Sequence, residues 1–294
     1  MEIRVLKYFL AVAQEGSITG AANFLNLTQP TLTRQLKELE KELGHQLFVR
    51  TNHNVYLTSE GMVFRKRAQE IIDLVEKTEA EFNSMSNDIS GDIYIGAGET
   101  VAITGIAKII KELQKEYKNI RFHLYSGNAE DITEKLDKGL LDFGVLIQPT
   151  DISKYEYVTL PNKDTWGVFM RKDSPLASKK SIKREDLLNI PLIVSKQVMQ
   201  RKKGRNNYNM WFGSYIDKLN IVATYNLIYN AAKMTEVGVG YSIGLENLIN
   251  TSGESNLCFR PLSPKLESGL DIVWKKHQVF SQASKLFLSK ISIL

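Results

Sequence analysis

Thr28-Gln29-Pro30-Thr31-Leu32-Thr33-Arg34-Gln35-Leu36 reads as the opening of a helix with two unlike faces. Thr28 stands where a hydroxyl can satisfy an orphan N–H of the first turn, and Pro30 is tolerated there because its missing donor would have had no partner. At about 100° per residue, Leu32, Leu36, Leu39 and Leu43 fall on one stripe, with Pro30, Arg34 and Lys37 opposite, flanked by Thr31 and Thr33. Glu38, Glu40 and Glu42 enter only later. Cations and small hydrogen-bonding groups therefore gather at the N-terminal half, where the helix dipole favours an anion.

The flanking segments give that face a setting. Ile3, Leu6, Phe9, Leu10 and Ala13 recur at helical spacing and stop at Gly16; Ser17 then caps a second helix, Ile18 to Leu25, whose Ala21-Ala22 pair allows a close helix crossing. Asn26-Leu27 makes a tight turn into the third helix. Helix, helix, turn and exposed-face helix is the order of a helix-turn-helix. Beyond Gly44, the extended pieces Gln46 to Arg50 and Asn54 to Leu57 are joined by the polar tip Thr51-Asn52-His53, a hairpin that would set Arg50 and His53 beside the exposed helix.

The run Phe9-x-x-Val12-Ala13-x-x-Gly16-Ser17-Ile18-Thr19-x-Ala21-Ala22, continued by Leu25-x-Leu27-Thr28-Gln29-Pro30-Thr31-Leu32-Thr33-Arg34-Gln35-Leu36 and Leu39-Glu40-x-x-Leu43-Gly44-x-x-Leu47-Phe48-x-Arg50, resembles the winged helix-turn-helix of LysR-type transcriptional regulators. Leu57-Thr58-x-x-Gly61 closes the likeness, which covers the N-terminal region almost without gaps. Position 33 more often holds serine in that family; threonine keeps the hydroxyl. The resemblance implies that double-stranded promoter DNA is the partner. Gln29, Thr31, Thr33 and Arg34, with Pro30 on the same face, would meet base edges, while Lys37, Arg50 and His53 would hold phosphates or probe the minor groove. It further implies a homotetramer built as a dimer of dimers, controlled by a small-molecule effector.

Thr58 and Glu60 begin a long helix in which Phe64, Ala68, Ile71, Val75, Thr78 and Phe82 alternate spacings of four and three, a coiled-coil seam with one polar position. The seam needs a partner: either a second copy, as the resemblance implies, or this chain's own later domain. Asn87 to Gly91 reads as a linker. Strand Asp92 to Gly96, helix Ile103 to Tyr117, strand Ile120 to Ser126, helix Ala129 to Lys138 and strand Asp142 to Ile147 then follow a βαβαβ rhythm, which implies a parallel sheet covered by helices.

A second series opens near Thr165: strand to Arg171, helix Arg184 to Leu188, strands Leu192 to Ser195 and Ile221 to Thr224, helix Asn226 to Glu236 and strand Tyr241 to Ile243. Leu257 to Arg260, strand Leu270 to Lys275 and a helix from Val279 to Ser289 bring the chain back. Crossings near 161–164 and 263–268 divide this region into two subdomains with a cleft. The expected fold is thus α/β overall. A winged helix-turn-helix domain (1–58) leads through a dimerising linker helix (59–88) to a region (89–294) similar to the periplasmic-binding-protein-like effector domain of LysR-type regulators. Its subdomain I would comprise 91–161 and 268–294, and its subdomain II 162–267.

The 294-residue chain is long enough for several cores, and its net charge of +5 permits an anionic partner without demanding one. Residues 1–67 hold nine basic side chains (Arg4, Lys7, Arg34, Lys37, Lys41, Arg50, Arg65, Lys66, Arg67) against six acidic ones (Glu2, Glu15, Glu38, Glu40, Glu42, Glu60), so DNA binding must rest on placement. Cys258 is the single cysteine, which excludes an internal disulfide and fits a reducing compartment. With no apolar run near membrane-spanning length and no cleavage-site pattern after Tyr8 to Ala13, a soluble cytoplasmic protein is expected.

In open parallel sheets, ligands sit beyond the carboxyl ends of strands. Those positions are Gly98, Glu99 and Thr100, then Ser126 and Asn128, then Gln148, and from the second series Ser195 and Thr224. The resemblance places a Ser or Thr near position 100 against the effector, which Thr100 fits. Glu99 is an unusual neighbour for an anionic effector. Arg201, Lys202, Lys203 and Arg205 point the other way unless they are a solvated basic loop. No cofactor is expected: the four histidines lack metal-ligand spacing, and Gly96-x-Gly98 lacks the third glycine of a dinucleotide fingerprint. No catalytic set emerges, so an enzyme is not expected. The rival reading is a cytoplasmic solute-receptor-like protein whose N-terminal helices serve only assembly.

Overall fold

Residues 1–51, 54–83, 89–196 and 207–292 are described in the computed structural model, and the chain divides into two units, Met1–Asn83 and Ser84–Leu294. In the first, α1 (Ile3–Glu15), α2 (Ile18–Phe24) and α3 (Gln29–Leu43) close around Leu6, Phe9, Val12, Ala21, Leu32, Leu36 and Leu39, all buried. Gly16 and Gly44 end α1 and α3 at φ of 62° and 72°, the left-handed cap that glycine adopts without a Cβ clash. Ser17 caps α2, its hydroxyl accepting from Gly20 N. Thr28 departs from expectation: its hydroxyl pairs with that of Thr31 at 2.8 Å and makes no side-chain cap. In a first turn already short of one donor at Pro30, the two hydroxyls satisfy each other.

The wing is the antiparallel pair β1 (Phe48–Arg50) and β2 (Val55–Leu57). Glu40 binds it to α3, its Oε1 accepting from Leu47 N and Phe48 N at 2.8 and 3.1 Å. Phe9 carries the core outward, its ring 5.0 Å from Phe48 and 4.8 Å from Phe64. Phe64 lies on α4 (Ser59–Asn83), whose first turn is capped by Thr58 accepting from Gly61 N at 2.9 Å. Gly61 has no room for a side chain, because a Cβ there would sit 2.1 Å from the Leu47 carbonyl oxygen.

The expected seam on α4 divides. Phe64 and Ala68 are turned into this unit's own core, and Ile72 rather than Ile71 continues that line. Ile71 and Phe82 of that seam lie exposed, as do Val63 and Leu74. Packing within this unit takes up the first two seam positions and leaves Ile71 and Phe82 exposed.

In the second unit β3 (Gly91–Ala97) pairs in parallel with β4 (Ile120–Ser126) and β5 (Phe143–Ile147), and α5 (Ile103–Glu116) and α6 (Ala129–Asp137) form the crossovers. Strand β6 (Tyr155–Arg171) is longer than the predicted Thr165 to Arg171. It runs on into a second sheet with β7 (Ile182–Lys183), β8 (Pro191–Ser195), β9 (Asn220–Tyr225), β10 (Tyr241–Leu245) and β11 (Leu257–Ser263). Short α7 (Asn207–Phe212) and α8 (Ile228–Glu236) cover that sheet; β12 (Glu267–Lys275) then returns beside β5 and β6, and α9 (Gln282–Ile291) ends the fold.

Each lobe has its own core, one around Ile95, Ile106, Phe143 and Phe287, the other around Val168, Leu192, Phe212 and Ile243. The lobes meet where β6 crosses between them, with Asp164 opposite Ser268 and Thr165 opposite Glu267. No described helix is long and apolar enough to cross a membrane.

Candidate nucleic-acid interface and ligand cleft

The outer face of α3 follows from its leucine stripe: burying Leu32, Leu36 and Leu39 leaves Gln29, Pro30, Arg34 and Lys37 exposed. These four share a shallow groove with Thr33, Glu38 and Lys41. Thr31 lies half-buried beside them, its hydroxyl held by Thr28. The Thr33 hydroxyl oxygen is shielded and has no hydrogen-bond partner. Arg34 stands 3.9 Å from Glu38, an exposed contact worth little in water. Arg50 on the wing lies 3.6 Å from Glu40, so the group that binds wing to helix also steadies this cation. His53 lies outside the described residues, as do Arg201, Lys202, Lys203 and Arg205.

A cavity of about 90 Å³ opens between the lobes of the second unit. Of the residues predicted there, Gly98, Glu99, Asn128, Gln148 and Ser195 line it, and Thr100, Ser126 and Thr224 do not. Thr100 is buried beneath, donating to Asp164 Oδ2 and accepting from Ala102 N. Ser126 faces solvent, and the chain turns at Gly127 before Asn128 reaches the cavity. Strand alternation sends Thr224 outward and Tyr225 inward. Because α8 starts at Ile228 rather than Asn226, Tyr225 to Leu227 form wall instead of helix.

The polar lining is held firmly. Asn128 Oδ1 caps α6, accepting from Glu130 N and Asp131 N. Gln148 Nε2 donates to both oxygens of buried Asp271, which also accepts from Thr159. Trp166 and Ser268, absent from the predicted set, sit where the strands cross, and Trp166 Nε1 donates to Ser268 Oγ at 2.8 Å. Tyr208 adds an aromatic wall edge-on to Trp166, with ring centroids 5.5 Å apart. Burial pushes its phenol well above the usual range.

Glu99 Oε2 accepts from Ile228 N at 2.6 Å, joining the first lobe to the start of α8 in the second. Tyr225 donates to the Ile243 carbonyl at 2.6 Å, and burial, then the negative charge of Glu99, hold its phenol above the usual range. Glu99 is the one carboxylate among the described lining residues, which include no Lys, Arg or His. Among the described residues no group of three or more His, Cys, Asp or Glu is placed to hold a metal ion. The lining combines apolar and aromatic walls with a few fixed hydrogen-bonding groups.

Two domain families match the chain. Residues 3–62 match the bacterial regulatory helix-turn-helix proteins of the lysR family, and residues 86–291 match the LysR substrate binding domain. The chain is 33% identical to the uncharacterized HTH-type transcriptional regulator YvbU of Bacillus subtilis over 195 residues, 66% of each protein. To the uncharacterized HTH-type transcriptional regulator MJ0300 of Methanocaldococcus jannaschii it is 27% identical over 288 residues, 97% of this chain and 94% of that one. The fold is similar to that of full-length CbnR in complex with its target DNA, with a TM-score of 0.74 at 20% identity over 98% of each chain.

Proposed function

Since the chain belongs to the LysR family and is a DNA-binding transcriptional regulator with an effector-binding domain, we propose specific roles for its two candidate sites. Gln29, Thr31, Thr33 and Arg34 meet base edges in the major groove, while Lys37 and Arg50 hold phosphates. Residues 1–58 are the DNA-binding domain, 59–88 the linker, of which Ser59–Asn83 is helix α4, and 89–294 the effector domain. The exposed stripe of Val63, Ile71, Leu74 and Phe82 on α4 supports pairing with a second copy. Two recognition helices would then lie one helical turn of DNA apart, about 34 Å. A small molecule between the lobes biases one arrangement of the assembly, by as much as its affinity for the two arrangements differs.

The observation that carries the DNA reading is the outer face of α3, where exposed Gln29, Arg34 and Lys37 surround the unpaired Thr33 hydroxyl. Fluorescence anisotropy on duplex from upstream of its own gene tests it. The parent should bind in preference to scrambled duplex, and Arg34→Ala with Gln29→Ala should lose that preference. A double variant that kept both affinity and preference would remove α3 from the reading role.

A further inference from the structure

Glu99 reaches across the cleft to a helix that provides no cap of its own. Leu227, at the N-cap of α8, offers no side-chain acceptor, and the Ile228 N–H is satisfied by Glu99 Oε2 at 2.6 Å. The start of a nine-residue helix carries partial positive charge and unpaired N–H groups, the pattern that draws carboxylates and phosphates. Here a carboxylate is already present, and it belongs to the chain. No described lining residue brings a cation that could hold a second anion beside it.

We propose that Glu99 determines the charge of the ligand this cleft accepts: by seating its own carboxylate on the N-terminus of α8, it denies that end of the cavity to carboxylate-bearing ligands. It rests on the cleft reading above only in treating the cavity as the effector site. The effector class that fits presents an uncharged or positively charged group to Glu99. An incoming carboxylate would have to displace Glu99 and lie beside a second negative charge, in a cavity with aromatic walls from Trp166, Tyr208 and Tyr225. The same contact ties the lobes together without any ligand.

Acetate is the probe, with sodium chloride matching ionic strength, and the thermal unfolding midpoint of the full-length protein is the readout. The parent should show no saturable response. Glu99→Ala vacates the helix N-terminus, and acetate should raise its midpoint by about 2–4 °C, replacing the missing carboxylate. Glu99→Gln keeps an acceptor oxygen for Ile228 N–H and should not respond. Saturable stabilisation of the parent by acetate would overturn the proposal. So would an acetate-insensitive Glu99→Ala that unfolds cooperatively; if that variant does not fold, Glu99→Ser takes its place under the same criterion. Anisotropy on the operator duplex separates the two readings. Acetate that stabilises Glu99→Ala without changing its DNA binding would leave the role of Glu99 standing and remove the cleft as the control site.

Discussion

The Thr100 hydroxyl donates to Asp164 Oδ2 at 2.5 Å, linking the turn that follows β3 to the strand that passes from one sheet into the other. Both residues are buried, Thr100 to 3% and Asp164 to 7% exposure. By family resemblance Thr100 would be expected against a ligand; here its hydroxyl is committed to a carboxyl at the junction of the lobes. Burial pushes the Asp164 carboxyl above the usual carboxylate range, and the Thr100 hydrogen bond offsets only part of that.

That raised value has a definite sign. The folded state favours the protonated carboxyl, so Asp164 adds stability below the unfolded-chain value and loses it as pH rises through its native one. Asp164→Asn keeps an acceptor for Thr100 and removes the charge. Its unfolding midpoint should match the parent's in strong acid and exceed it at neutral pH, the gap opening as pH climbs from about 4. Thermal scans across pH check this; a gap independent of pH would contradict it.

Thr33→Val separates stability from recognition. The shielded Thr33 hydroxyl has no partner in the free protein, so replacing it with an isosteric methyl should leave the unfolding midpoint unchanged or slightly raised. If DNA supplies the missing partner, affinity should fall about two- to twelve-fold, the worth of one neutral hydrogen bond. Anisotropy titration with the operator duplex measures the loss; unchanged affinity would place Thr33 outside the contact.

Lys37→Ala should weaken binding to all sequences alike. The slope of log affinity against log salt should become shallower by about one, the release of one counterion. Arg34→Ala should instead blunt discrimination between operator and scrambled duplex. Titrations at several salt concentrations distinguish the two; if the effects were exchanged, the assignment of phosphate and base contacts would be reversed.

Gly61→Ala should destabilise the first unit alone. A Cβ at that position meets the Leu47 carbonyl oxygen, and overpacking of this kind costs about 1–3 kcal/mol. The three tryptophans, Trp166, Trp211 and Trp274, all belong to the second unit. Loss of helical circular dichroism should therefore begin at lower temperature while the tryptophan fluorescence transition stays in place. A matching fall in both would mean that the units unfold as one.

The N-terminal unit was legible because its signals are local. A leucine stripe, two glycine caps and a serine cap each act within one or two turns, and α1, α2 and α3 follow from them. Glu40 escaped because its partners, Leu47 N and Phe48 N, lie beyond the helix in a chain segment with no fixed register to it. On α4, periodicity reports that an apolar stripe exists, and tertiary packing decides that Phe64 and Ala68 join Ile72 in the core while Ile71 and Phe82 stay exposed.

In the cleft, strand ends located Gly98, Glu99, Asn128, Gln148 and Ser195. Trp166 and Ser268 were missed because they sit within crossing strands, where Pro161 to Asp164 read as a break in what is a continuous β6. Thr224 was misplaced by one step of strand alternation, which exchanges it for Tyr225. Tyr208 belongs to a short helix with no apolar rhythm, and only the folded chain brings it against Trp166.

Strand β6 has a mechanical consequence. It runs unbroken from Tyr155 to Arg171, bordered antiparallel by β12 in one sheet and by β11 in the other. Its pairing with β12 shifts register between Ser268 and Leu270, where β6 passes from one sheet to the other. A turn of one lobe about this strand would also strain the hydrogen bond that Glu99 accepts from Ile228 N.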